Sequence, residues 1–148
     1  MAHFAKLDAN NIVETVIVVA DTDSGGGSID TETVGRNFCR NHVGDMSTIW
    51  KQTSYNANFT GNYAGIGYTY MENVRTLGVA STDIFINQQP HASWIIGINT
   101  AGWYAPIDGP PGLTTSQLAA GSYYQWDESA YQADTSDPKT VGWALTTP

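Results

Sequence analysis

Trp50-Lys-Gln-Thr-Ser-Tyr-Asn-Ala-Asn-Phe-Thr-Gly-Asn-Tyr-Ala-Gly-Ile-Gly-Tyr-Thr-Tyr70 is the stretch on which the fold turns. At its start Ile49, Lys51 and Thr53 alternate with Trp50, Gln52 and Ser54, the period of a strand with one wetter and one drier face. Farther along, Tyr63, Ile66, Tyr68 and Tyr70 are interrupted by Gly61, Gly65 and Gly67. Glycine inside a strand is costly, so three of them predict bulges, a sharp bend or a second backbone lying close. The stretch is therefore predicted to be two strands joined by a glycine-rich corner, with Trp50, Tyr63, Ile66 and Tyr68 in the core. Apart from Lys51 and the weakly acidic tyrosines it carries no obvious acid, base or nucleophile. Packing and surface shape are its expected roles.

On the N-terminal side, His3 to Leu7 and Ile12 to Val19 are strand-like runs separated by Asp8-Ala-Asn-Asn11, whose Asp and Asn tolerate turn geometry, so a hairpin is predicted. The second run is continuously apolar after Thr15, the mark of a strand covered on both faces, and it is expected to be the central strand. Asp21 to Ser28 reads as a glycine-rich loop. Asp30 or Thr31 then caps a helix of about three turns whose first turn carries Glu32. Val34, Phe38 and His42 or Val43 share a stripe, and Gly44 stands where a C-cap glycine belongs. Packing Val34 and Phe38 onto the sheet gives a β-β-α-β unit.

On the C-terminal side, Met71 to Asp83 reads as a loop and Ile84-Phe-Ile86 as a short strand ended by Pro90. Ser93 to Ile98 and Trp103-Tyr104 flank Asn99-Thr-Ala-Gly102, a hairpin turn. Ala105 to Leu118, with Pro106, Pro110 and Pro111, is too proline-rich for regular structure and is expected to be a linker or an extended arm. Tyr123 to Trp126, Ala130 to Gln132 and Val141 to Leu145 read as short aromatic strands around polar turns. The spacing of Trp94 and Trp103, echoed by Trp126 and Tyr131, hints at a repeated aromatic hairpin. The predicted class is α+β, predominantly β, with one helix, a core domain over 1–104, and a proline-rich arm with an aromatic extension over 105–148.

A chain of 148 residues is long enough to bury roughly 70% of the surface that its unfolded form exposes. Only 14% of its residues are charged, which suits a β-rich chain with uncharged polar surfaces. The net charge of -8 repels nucleic acid and anionic membranes, so neither is an expected partner. A single cysteine excludes an internal disulfide and a zinc ribbon. No apolar run reaches a spanning length, and the N-terminus lacks a basic region followed by an apolar one, so a soluble chain without an export signal is expected.

Each candidate for chemistry has a plainer structural account. Cys39 and His42 are spaced to meet on one helix face as thiol and base, but no third group orients the base, and a buried cysteine beside a helix-end histidine explains both. His3, His42 and His91 lack zinc-ligand spacing. Asn58-Phe-Thr60 matches a glycosylation pattern and is expected to be a turn. Glu72, Asp83, Asp127 and Glu128 are carboxylates of the kind that glycosidases pair, with solvated turns as the expectation. Asp21, Asp23, Gly26 and Glu32 occupy places 1, 3, 6 and 12 of an EF-hand-like loop. Gly25 removes a ligand at place 5 and a strand precedes the loop, so that loop is expected to be empty. Trp94, Trp103, Tyr104, Tyr123, Tyr124, Trp126, Tyr131 and Trp143 suit stacking on sugar rings, and equally suit filling thin β-layers, which is the expected use. No catalytic, cofactor-binding or metal-ligating residue is assigned.

Met-Ala-His-Phe-Ala-Lys-Leu-Asp8, Ile-Trp-Lys-Gln-Thr-Ser-Tyr-Asn56, Asn-Tyr-Ala-Gly-Ile-Gly-Tyr-Thr-Tyr70 and Ser-Trp94 together resemble a small protein family of tailed phages, similar to virion or hypothetical proteins of marine phages, notably those infecting cyanobacteria. The resemblance spans about the first two thirds of the chain. Tyr124-Gln-Trp-Asp-Glu128 also resembles the family's C-terminal aromatic motif, while Arg75 to Thr82 and Pro110 to Gly121 look like insertions. The resemblance implies a non-enzymatic structural protein located in the virion, and supplies no catalytic residue. Within that frame the expected role is a capsid decoration or cement protein that binds the major capsid protein or another virion protein and self-associates. The alternative is a tail-fibre or baseplate module whose aromatic surface binds host carbohydrate.

Overall fold

The computed structural model describes residues 1–26, 31–74, 83–97 and 100–148. The chain is α+β and predominantly β, built from small antiparallel sheets with one longer helix. Its contacts form two compact units, one of residues 1–88 with 96–102 and one of residues 89–95 with 103–148. The first break falls at Gln89 rather than after Tyr104, because Ser93 and Trp94 make their side-chain contacts with Glu128, Trp126 and Trp143.

In the first unit β1 (Ala2–Leu7) lies between β2 (Val13–Val19) and β3 (Ile49–Thr53), antiparallel to both. The expected hairpin and the β-β-α-β order are present, with Asp8 Oδ1 accepting from the Asn10 and Ile12 amides in the turn. The expected centre of the sheet is corrected: β1 is central and the long apolar run of β2 forms an edge, with Val18 54% exposed. Apolarity along a strand does not decide position when a crossover helix carries the chain past its partner. Here α1 (Thr31–Val43) leads to β3 on the far side of β1.

Alternation along β1 feeds two cores. Phe4 joins Val19, Cys39 and Trp50 on one side, while Ala5 and Leu7 join Val13, Ala64, Tyr70 and Phe85 on the other. Phe4, Ala5, Cys39 and Phe85 are fully buried. The helix ends as expected, with Gly44 at φ 70° and the amides of Gly44 and Asp45 bonded to the carbonyls of Asn41 and Arg40, a Schellman arrangement. The start lies partly outside the described residues, since Asp30 falls there, and Thr31 opens the described helix.

The buried stripe of α1 differs from the expected one. Gly35 and Cys39 face inward, Phe38 packs at the margin, and Val34 is 40% exposed. The cause is steric: a Cβ at position 35 would sit 2.0 Å from Phe4 Cζ, so the missing side chain lets the Phe4 ring fit against the helix. Apolarity picked the larger residues, whereas the close approach needed the smaller ones.

Of the glycine-rich stretch, Trp50 is core at 1% exposure, but Tyr63 and Tyr68 are half-buried and Ile66 is 76% exposed. Tyr63 to Tyr68 is not a strand. Gly65 to Tyr68 close a turn through the Tyr68 amide and the Gly65 carbonyl at 3.0 Å, with Gly67 at φ 82°. The close second backbone does occur. Tyr68 and Tyr70 bond with Val13 and Asn11, and Gly67 with Val13, at 2.8–2.9 Å, covering the start of the β2 edge. Thr69–Met71 then forms β4, paired antiparallel with β5 (Ile84–Ile86), whose three residues are all buried. The Arg75 to Thr82 segment lies outside the described residues.

Farther along, β6 (Ile95–Ile96) pairs with β7 (Trp103–Tyr104) as expected; Asn99 of the connecting turn lies outside the described residues. Three expectations for the C-terminal part are corrected. The proline-rich segment contains α2 (Thr115–Ala119), started by a capping box in which Thr114 Oγ1 and Gln117 Oε1 accept from each other's backbone amides. After β8 (Tyr123–Trp126), the expected strand at Ala130 to Gln132 is α3 (Glu128–Ala133), because Asp127 caps it by accepting from the Ala130 amide at 2.9 Å. β8 pairs antiparallel with β9 (Trp143–Thr146), Trp126 opposite Trp143. The aromatic echo marks no repeated hairpin: Trp94, Trp126 and Trp143 pack in one cluster with centroids 5.3–6.3 Å apart, and Tyr131 adds to it 5.1 Å from Trp126. No helix among the described residues is long and apolar enough to cross a membrane.

Candidate functional site

At one end of the three-stranded sheet the chain leaves an open cleft of about 820 Å³. Its walls come from the first residues of β1, the end of β3, the turn that follows, and the segment after β2. The alternation of β3 places Trp50 in the core beneath α1, and Gln52 follows two residues on, at the rim. Thr53 is buried, and its hydroxyl accepts from the Ala64 amide at 2.9 Å, so strand and glycine-rich stretch are pinned together next to the cleft. The chain then turns sharply. The Ala57 amide reaches the Ser54 carbonyl and the Asn58 amide reaches Ser54 Oγ, both at 3.0 Å. This turn presents Tyr55, Asn56 and Asn58 at the cleft.

Tyr55 is 71% exposed, yet its ring is held in place. It stacks on His3 with centroids 5.8 Å apart and planes 25° apart, and meets Tyr63 edge-on at 5.5 Å; His3 also meets Tyr63 edge-on at 5.4 Å. Gln52, Asn56 and Asn58 make no side-chain hydrogen bond among the described residues. By contrast Asn62 bonds the Phe85 and Ala101 carbonyls, and Gln89 bonds the Ala92 and Trp94 carbonyls. The lining therefore offers uncommitted amides and a fixed ring, and Asp21, its one carboxylate among the described residues, lies against the N-terminal ammonium of Met1.

The carboxylates named from sequence are occupied singly by local structure. Glu72 pairs with Lys51 at 3.0 Å. Asp83 accepts from the Tyr70 hydroxyl at 2.5 Å, and burial together with that bond pushes the Tyr70 phenol far above its ordinary range. Asp127 caps α3. Glu128 accepts from Gln132, Ser93 and Trp126 at 2.7–2.8 Å, and these bonds, Gln132 first, hold its carboxyl down at about 2.

Cys39 and His42 are not brought together as a reactive pair. Cys39 is fully buried, and burial raises its thiol to about 11; His42 is exposed and stacks on Phe38 at 6.2 Å. His91 lies against Trp94 and Trp126, and His3 against Tyr55 and Tyr63. In the acidic loop Asp21 faces Met1, and Glu32 Oε1 accepts from the Gln52 amide at 3.5 Å. Among the described residues no group of three His, Cys, Asp or Glu is placed to hold a metal ion. Asn58 and Thr60 sit in the turns expected of them, with Thr60 at φ 57°.

No protein-family model, curated protein or solved structure matches the chain. The cleft was not among the sites read from sequence. His3 figured there only as a scattered histidine, and Gln52 only as one face of a strand. The available signal was Ser54-Tyr-Asn-Ala-Asn58, an aromatic flanked by amides immediately after a strand, where side chains leave the sheet and reach solvent.

Proposed function

We propose that this chain is a non-enzymatic structural protein of a tailed-phage virion, a decoration protein that binds the capsid shell and associates with further copies of itself. The carrying observation is Ile66. It belongs to the Tyr-Ala-Gly-Ile-Gly-Tyr segment on which the phage resemblance rests, and it stands 76% exposed at a hydrogen-bonded turn instead of in the core. A β-branched apolar residue fixed in that position is a ready anchor for a protein surface. Glu72, Asp83, Asp127 and Glu128 are each taken up by an ion pair, a tyrosine hydroxyl, a helix cap or a bond network, and the one thiol is buried, which favours binding over catalysis. The net charge of -8 favours protein partners over nucleic acid or membrane.

Binding to purified empty heads and to isolated tails tests the reading. The chain should cosediment with heads and saturate many equivalent sites. Ile66→Asp should weaken this by at least tenfold while the melting temperature stays put, because an exposed turn residue contributes within about 0.5 kcal/mol to folding. Failure to bind heads, or unchanged binding by the variant, would remove the proposal.

A further inference from the structure

We propose that the cleft at the end of the first unit's sheet binds a neutral saccharide, with one sugar ring stacked on Tyr55 and its hydroxyls held by the amides of Gln52, Asn56 and Asn58. This goes beyond the shell-binding reading and does not rest on it. It also places sugar recognition elsewhere than in the tryptophan cluster, whose rings pack against one another.

Three features combine to select the ligand. The first is Tyr55, a large ring left 71% exposed but immobilised by His3 and Tyr63. An immobilised exposed ring costs little further entropy on binding, and its face suits the C–H face of a pyranose. The second is the set of three carboxamides, each offering two donors and an acceptor, without partners among the described residues. Sugar hydroxyls, donor and acceptor at once, can both give to and accept from such neutral amides. The third is charge. Among the described residues the lining holds no Lys or Arg, Asp21 lies against the N-terminal ammonium, and the chain as a whole is at -8. Phosphates and carboxylates are disfavoured there. The volume of about 820 Å³ is within the usual range for small-ligand sites and accommodates more than one ring.

The test is titration of the ¹⁵N-labelled chain with methyl α-glucoside, methyl β-galactoside and methyl N-acetyl-β-glucosaminide, followed by amide shifts. At least one should give saturable shifts at Tyr55, Asn56, Asn58 and the Gln52 side chain, with Kd on the order of 1 mM for a single ring. Tyr55→Ala should weaken binding at least tenfold, and Asn56→Ala or Asn58→Ala several-fold each. All three positions are exposed, so the rest of the spectrum should remain in place and report an intact fold. Methyl glucuronide, the same ring with a carboxylate, should bind more weakly than the glucoside. Absence of saturable shifts with all three glycosides, shifts centred outside the cleft, equal shifts with glycerol, or undiminished binding by Tyr55→Ala would each overturn the assignment. Loss of head binding by Ile66→Asp is read separately and leaves this result untouched.

Discussion

The two units exclude water by different means. The first stacks a helix and a small second sheet on opposite faces of three paired strands, and Phe4, Ala5, Cys39, Ile84, Phe85 and Ile86 are all at 0% exposure. The second has a two-stranded sheet and two short helices without a buried residue, and its most enclosed large side chain, Trp126, is still 8% exposed. It relies on rings packed edge to face and on hydrogen bonds that join distant segments. Glu128 bonds Ser93, thirty-five positions away, and Trp143 Nε1 bonds the Asp108 carbonyl. Layered strands can bury small aliphatic residues completely, whereas a unit too thin for layers fills its centre with flat rings and fixes their edges with polar bonds.

Truncating the central ring of each unit probes this difference most strongly. Trp50→Ala should cost about 3 to 5 kcal/mol, since the ring is fully enclosed under α1 and its Nε1 donates to Thr48 Oγ1 at 3.0 Å. Trp126→Ala should cost about 3 kcal/mol, because neighbouring rings can close on the gap and water already reaches its edge. Chemical denaturation followed by amide spectra of each unit checks both, and a Trp126→Ala cost above that of Trp50→Ala would reverse the contrast.

A smaller effect sharpens the comparison through pH. The Glu128 carboxyl is held at about 2 against an ordinary value of 4.5, and Asp134, bonded to Ser136, Thr140 and Val141, is also lowered. A depressed carboxyl stabilises the fold above its unfolded value, and the contribution fades as pH falls through the folded one. The second unit should therefore loosen between about pH 4.5 and 2. Among the described residues of the first unit the lowered acid is Asp45, held down chiefly by bonds to Ser47 two positions away. Amide spectra across that window should lose Trp94, Trp126 and Trp143 before Trp50. Glu128→Gln should flatten the acid response, and simultaneous loss in both units would dissolve the distinction.

The least expected perturbation is at Cys39. With its thiol raised to about 11 by burial, it should resist alkylation by iodoacetamide at neutral pH until the protein unfolds. Rapid labelling of the folded chain would show that the helix side of the first core opens easily.

What the sequence disclosed follows from which interactions are local. The first hairpin, the Gly44 terminus and the Ile84 strand depend on turn chemistry and short periodicities, and these were legible. The phase of α1 was not, because it depends on Phe4, thirty-one positions away, meeting Gly35. Tyr63 to Tyr68 was misread because aromatic content suggests a strand, while glycine lets the backbone turn and bond to Asn11 and Val13. The caps at Thr114 and Asp127 were legible in principle, since Thr114-x-x-Gln117 is a capping box, but proline content and aromatic residues drew the reading toward coil and strand. The cleft has no contiguous motif. Its ring and amides converge only when β1 and β3 pair and His3 comes opposite Thr53.

The interleaving of the units along the backbone bears on how the protein is made. Residues 89–95 belong to one unit while 83–88 and 96–102 on either side belong to the other, so the chain passes between them three times. On a ribosome, the strand pairing of the first unit can begin once Thr53 has emerged, but Asn62 waits for the Ala101 carbonyl before its amide is fully bonded. By then Ser93 and Trp94 are already exposed, and their partners Glu128 and Trp143 are still unsynthesised. A half-made chain thus carries a bare tryptophan for the time needed to add roughly fifty more residues, seconds at ordinary translation rates. No single cut point leaves both units whole: a cut after Gly102 keeps the first but takes residues 89–95 from the second, and a cut after Gln88 keeps the second but takes residues 96–102 from the first.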